Sequence, residues 1–176
     1  MRGNALVLSD GEPCLWDGLG GLVEEIKKLP LPVKIDTNGM FPAMLEELFS
    51  REETRPDYIA LDLKLAPERY VELLPKGGLP NNPGEALIQS AALIRQSGIS
   101  HEYRTLALPS LQGSAGHITE KDIEALAPLT DDAPWHFRPF RGGNCLDPAW
   151  ELEENAEQAR ARSELLAAKA RIYRNP

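Results

Sequence analysis

Short apolar runs that each end in a polar motif, followed by apolar residues at helical spacing, recur along this chain, and that alternation restricts the folds open to it. Residues 5–8 (Ala-Leu-Val-Leu) lead into Ser9-Asp10-Gly11-Glu12-Pro13, after which Leu19, Leu22, Val23, Ile26 and Leu29 recur at helical spacing. The unit repeats: a strand over 33–36 with a helix over 42–49, a strand over 58–62 with a helix over 67–74, and a strand over 102–108 with a helix over 119–126. An additional helix over 84–96 precedes the fourth strand. Residues 135–140 read as a fifth strand, 151–168 as a long charged helix, and 170–173 as a short final strand. Gly98 is placed to end the inserted helix in a left-handed cap, and Thr119 with Asp122 has the spacing of an N-terminal capping arrangement. The stretch 75–83, rich in Gly, Pro and Asn, reads as a loop. Such alternation predicts an α/β fold with a mostly parallel sheet and outer helices, open or closed into a partial (β/α) barrel.

Composition removes several functions. The 176 residues are 42% hydrophobic, enough for one core, so a single domain over 1–176 is expected. A formal net charge of -8 excludes a surface that tracks nucleic-acid phosphates, which needs clustered Lys and Arg. No run approaches the roughly 20 apolar residues of a membrane span, and the expected location is cytoplasmic. Two cysteines, Cys14 and Cys145, are too few for a disulfide framework or a four-ligand zinc site.

In a barrel of alternating strands and helices, the C-terminal strand ends share one face, and their loops build the site. Three acidic motifs fall at such ends: Gly11-Glu12-Pro13, Asp36-Thr37-Asn38-Gly39 and Asp62-Leu63-Lys64. Carboxylates from adjacent strand ends supply the oxygen ligands that hard cations prefer. A lysine two residues after Asp62 points to the same side of the strand, within reach of that carboxylate or of a ligand's. Glycines let the backbone approach a bound molecule closely.

These motifs, followed by Tyr103-Arg104-Thr105 and Pro109, resemble those of radical S-adenosylmethionine enzymes, and among them the glycyl-radical activases such as pyruvate formate-lyase activating enzyme. The segment RPFRGGNCLDPAW, residues 138–150, is more similar to the anaerobic ribonucleoside-triphosphate reductase activating proteins. The resemblance implies a partial barrel in which S-adenosylmethionine and a 4Fe-4S cluster meet at the C-terminal rim. An electron from the cluster cleaves the sulfonium, and the 5'-deoxyadenosyl radical takes a hydrogen from a glycine of the partner reductase. It also implies that backbone groups around Gly11, Glu12 and Pro13 hold the methionine amino group. Asp36, Thr37 and Asp62, with the Ala60 carbonyl, match a monovalent cation site, and Lys64 and Arg104 match cofactor-contacting positions.

The chain departs from this family in one large respect. The family's Cys-x3-Cys-x2-Cys motif lies upstream of the Gly-Glu-Pro strand, and two cysteines at unrelated places do not supply three cluster ligands. The first strand reads as fully buried yet lies a few residues after Met1, so the expectation is an N-terminally truncated activase, inactive alone, with no cluster and no catalytic residue of its own. Its exposed first-strand edge would then favour self-association. The alternative is a non-catalytic remnant that binds S-adenosylmethionine or a glycyl-radical partner. Asp10, where the family usually has Gly, adds bulk and charge beside the amino-group site. His101, His117 and His136 lack metal-ligand spacing and are expected to be structural or at the surface, while Trp16, Trp135 and Trp150 are expected to pack. Cys145 reads as a semi-buried thiol, and the helix over 151–169 as a solvated outer helix with an apolar stripe at Leu152, Ala156, Ala159 and Leu166.

Overall fold

The computed structural model describes residues 5–9, 11–73, 82–109, 117–142 and 155–174. Five strands form one all-parallel sheet in sequential order: β1 (Leu6–Leu8), β2 (Val33–Thr37), β3 (Tyr58–Asp62), β4 (Ser100–Ala107) and β5 (Trp135–Pro139). The connections run through α1 (Leu19–Ile26), α2 (Pro42–Phe49), α3 (Pro83–Ser97) and α4 (Glu120–Leu126), and α5 (Ala156–Arg174) follows β5. Sequential order in a parallel sheet means that each crossover returns to the next strand on the same side, as in a barrel wall.

Alternation along the strands builds the core on that side. Val33, Ile35, Ile59, Leu61 and Tyr103 are fully buried and meet Leu19, Val23, Leu45, Leu48, Leu87 and Ile94 of the helices. The intervening residues turn the other way. Register sets Asp36 beside Ala60, Ala60 beside Glu102, and Asp62 beside Arg104, which in turn neighbours His136. A parallel sheet normally has both faces apolar. Here one face is charged, as suits the inner wall of an open barrel.

Local signals explain the element ends. Asn82 accepts from the Glu85 amide before Pro83 opens α3, and Gly98, at φ 72°, closes it. Thr119 and Asp122 form a reciprocal capping box on α4. Gly39 takes φ +76°, and a Cβ there would lie 2.9 Å from a Leu61 methyl, so only glycine fits this turn. Ser90 on α3 then donates to the Gly39 carbonyl at 2.8 Å, docking the inserted helix beneath the loop after β2.

Several expectations are corrected. Residues 170–173 are the last turns of α5 and not a strand; the run continues an unbroken helical pattern in which Leu166 and Ala170 are buried. The solvated outer helix is in fact anchored, with its buried stripe at Ala159, Ser163, Leu166 and Ala170, while Ala156 is exposed. Residues 67–73 form a 3-10 helix, tightened by the packing of Tyr70. β1 is not fully buried: it is an edge strand, and Val7 is 49% exposed. Trp16 does not pack inward either; it is 56% exposed and lies against Gly18. Trp135 does pack, donating its ring N–H to Thr105 Oγ1 at 2.9 Å. Asp10, Cys145, Trp150, Leu152, the loop over 75–81 and the segment 143–150 lie outside the described residues. Among the described residues, no helix is long and apolar enough to cross a membrane.

Candidate functional site

The motif after β1 is clasped to the motif after β2 by one carboxylate. Glu12 Oε1 accepts from the Cys14 amide at 3.1 Å and from Thr37 Oγ1 at 2.8 Å, while Oε2 accepts from the Asn38 amide at 2.7 Å. Thr37 Oγ1 in turn accepts from the Gly39 amide at 3.1 Å, and Asn38 Oδ1 accepts from the Met40 amide at 2.9 Å. The acidic side chain of the Gly-Glu-Pro motif is therefore spent on holding two loops together. This leaves the Gly11 backbone, at φ 63°, as the part of the motif presented at the rim.

The second feature is a bridged carboxylate pair on the charged face. Arg104 donates through Nη1 to Asp36 Oδ2 at 2.7 Å and through Nε to Asp62 Oδ1 at 2.9 Å, with Nη2 also 2.9 Å from that oxygen. Half-burial works against its charge, yet the Asp62 and Asp36 carboxylates hold the guanidinium above its ordinary range. Asp36 Oδ1 is buried and accepts no hydrogen bond; Lys34 Nζ lies 3.6 Å away. Deeper along the strands Lys34 donates to Glu102 Oε1 at 2.9 Å, Tyr58 donates to Glu102 Oε2 at 3.3 Å, and His136 Nε2 stands 3.6 Å from the same oxygen. Burial would raise the Glu102 carboxyl, but the Lys34 hydrogen bond and charge bring it below the usual range.

The structure thus brings Glu12, Thr37, Asp36, Asp62 and Arg104 to one end of the sheet. Neither aspartate caps the following helix. Thr37 points to the buried side, 2% exposed, so its hydroxyl faces Glu12 and not the carboxylate pair. A cation held by Asp36 and Asp62 would share them with Arg104. Among the described residues no group of three His, Cys, Asp or Glu is arranged to hold a metal ion. Lys64 stands apart from Asp62: its amide donates to the Tyr70 hydroxyl at 2.9 Å, and its ammonium makes no ion pair among the described residues.

Sequence reasoning overlooked the inner-face layer of Lys34, Tyr58 and Glu102. A signal existed: Lys34 with Asp36, and Glu102 with Arg104, put charges at every second position of otherwise apolar strands, the mark of a polar sheet face. Also overlooked was Tyr70, whose buried hydroxyl bridges the Lys64 amide and the Asp62 carbonyl, 3.3 Å away.

Cys14 sits beneath the Glu12 clasp, 3% exposed, and burial followed by the Glu12 charge pushes its thiol up to about 12. A thiol so protonated is a poor nucleophile and metal ligand. In folded protein at pH 8, Cys14 should resist iodoacetamide and become reactive only on unfolding, as read by peptide mapping. Rapid labelling of native Cys14 would contradict the burial.

No family model matches the sequence. A curated protein of Methanocaldococcus jannaschii, named as a candidate glycyl-radical enzyme activating enzyme, is 30% identical over 130 residues, covering 73% of this chain and 51% of that protein. The chain therefore spans about half the length of that relative. Two solved structures share the fold. Streptococcus suis SuiB matches with a TM-score of 0.60 at 13% identity, covering 93% of this chain and 35% of that one. TYW1 with a lysine-pyruvate adduct bound matches with a TM-score of 0.57 at 13% identity, covering 92% of this chain and 49% of that one. The 30% identical relative agrees with the resemblance of the motifs to glycyl-radical activases, and the two solved structures agree with the expected α/β fold.

Proposed function

We propose that this chain binds S-adenosylmethionine at the C-terminal rim of its sheet and serves the activation of a glycyl-radical enzyme, such as an anaerobic ribonucleotide reductase. The observation that carries this reading is the meeting of the Gly-Glu-Pro, Asp-Thr-Asn-Gly and Asp-Leu-Lys motifs with Arg104 at neighbouring strand ends, tied by Glu12 and by the Arg104 bridge. In this reading, backbone groups of Gly11, Glu12 and Pro13 receive the ligand's amino group. The Lys64 ammonium, which has no ion pair among the described residues, meets the ligand's carboxylate. Arg104 keeps the two carboxylates fixed beside it. Asp36 Oδ1, buried without a donor, offers an acceptor to the ligand or to a monovalent cation shared with Asp62 and the Ala60 carbonyl.

A 4Fe-4S cluster does not fit the residues of this sequence. Cys14 is buried with its thiol held protonated, and Cys145 is the one other cysteine. This donor set favours the second reading, in which the chain binds S-adenosylmethionine or its partner without redox chemistry. Calorimetry tests both. S-adenosylmethionine should bind saturably without iron, and Lys64→Ala should weaken binding by about tenfold, as expected for loss of one charge-assisted contact. No heat of binding with either S-adenosylmethionine or S-adenosylhomocysteine would overturn the proposal. Formation of 5'-deoxyadenosine by the reconstituted, reduced chain would overturn the conclusion about the cluster.

A further inference from the structure

The outer side of α5 carries a second apolar stripe, opposite the one that anchors it. Ala159, Ser163, Leu166 and Ala170 face the core. Ala161, Leu165, Ala168 and Ile172 recur at spacings of four, three and four, and all four are exposed, Leu165 by 60% and Ile172 by 61%. That spacing is the seam of a two-stranded coiled coil, with Leu165 and Ile172 in the a positions and the alanines in the d positions. Small residues at d let two backbones come close.

The charges beside this seam say what covers it. Glu157, Glu164 and Arg171 occupy the g positions, and Arg162 and Lys169 the e positions. In a parallel pair, each g residue faces the e residue five positions on in the other helix. Glu164 then meets Lys169 of a second copy, and Glu157 meets Arg162, so both of these pairs are of opposite charge. An antiparallel pair that overlaps the same seam would set Arg162 against Lys169, base against base, at its e positions, and so is favoured less than the parallel arrangement. Within one copy, Lys169 is paired with Glu120 at 2.7 Å, and Arg162 Nε donates to the Ala107 carbonyl at 3.0 Å. Those contacts hold both basic residues along the body side of the seam. Lys169 and Glu120 stay 32% and 49% exposed, so the ammonium can be shared. Because the anchoring stripe lies on the opposite side of α5, the two bodies would sit on either side of the helix pair without collision.

We propose that this face of α5 is a self-association surface on which a second copy of the chain docks through a parallel, in-register helix pair. Sedimentation equilibrium over a wide concentration range tests it on the full chain. The wild type should show a reversible monomer–dimer equilibrium. Leu165→Glu should be monomeric, and Glu164→Lys should weaken the dimer by about tenfold. The swap Glu164→Lys/Lys169→Glu should restore affinity to within about threefold of wild type, since the exposed Lys169 bridge to Glu120 is worth little. Residues 164 and 165 are exposed, so thermal unfolding of these variants should match the wild type and confirm that the fold is kept. A chain monomeric at every concentration would overturn the proposal. So would a dimer indifferent to Leu165→Glu, which would place association elsewhere, for instance on the β1 edge. A charge swap no better than Glu164→Lys alone would overturn the parallel arrangement.

Discussion

Replacing Asp122 with alanine should cost the folded chain about 3 kcal/mol, because one fully buried carboxylate satisfies four donors. Asp122 Oδ2 accepts from the Thr119 amide at 2.8 Å, from Thr119 Oγ1 at 2.6 Å and from Arg69 Nη1 at 2.6 Å, while Oδ1 accepts from the Ala66 amide at 2.9 Å. The residue thus caps α4 and also fixes the segment leaving β3, which carries Lys64 and Tyr70. Its loss strands the buried Ala66 amide and the part-buried Thr119 amide and takes from Arg69 one of its two carboxylate partners, leaving Glu72 at 2.8 Å and a long contact to the His117 carbonyl. Burial would raise the Asp122 carboxyl, but the Thr119 hydroxyl, the Ala66 and Thr119 amides and the Arg69 charge together hold it below its ordinary value of 3.8. A carboxyl depressed by folding binds fewer protons in the native state than in the unfolded one. Its contribution is therefore complete above the unfolded value and is lost as pH falls through the folded one. Urea unfolding at pH 7 and at about pH 3 should show a stability loss in acid that is smaller in Asp122→Asn than in wild type. An equal loss in both would mean that Asp122 is not a proton-linked anchor.

Arg104→Leu should have the second large effect, on stability and on ligand affinity together. The side chains of Arg104 and Asp36 are each 14% exposed and that of Asp62 is 33% exposed, so removing the guanidinium leaves two poorly solvated carboxylates facing each other. Breaking such a pair costs about 3 kcal/mol. Arg104→Lys should recover less than half of this, since one ammonium cannot reproduce the planar bridge to two carboxylates. The cost of Arg104→Leu should shrink to about 1 kcal/mol when Asp36→Asn and Asp62→Asn are already in place, because the uncompensated charge is then gone. A cost unchanged in that background would assign Arg104 to packing. Calorimetry on the same variants should show S-adenosylmethionine binding lost with Arg104→Leu and kept, though weakened, in Arg104→Lys.

Much of the architecture was legible because period and punctuation agreed. The change from the short apolar runs of β2 and β3 to helical spacing in the segments between them marked the units, and Gly98 and Thr119 marked ends where backbone geometry admits few residues. The errors have physical causes. Residues 170–173 read as a strand because Ile and Tyr favour sheets, but burial of Leu166 and Ala170 on the sheet carries the helix through them. Residues 67–73 keep helical spacing in sequence while Tyr70, 2% exposed, winds them tighter. At the site, the identity of the motif residues was legible and their wiring was not. Glu12 reaches across to Thr37 and Asn38, and Arg104 to Asp36 and Asp62, through contacts between strands that no local pattern encodes. Asp122 read as a cap and is one, but its grip on Ala66 and Arg69 joins segments far apart in sequence.

The most direct test of the rim as the binding site is an amide chemical-shift map of the isotopically labelled chain titrated with S-adenosylmethionine. The account predicts saturable shifts at Gly11, Asn38, Gly39 and Lys64, with the α2–α3 groove around Ala43, Gln89 and Leu93 unmoved. Shifts confined to that groove, or no shifts at any ligand concentration, would contradict it.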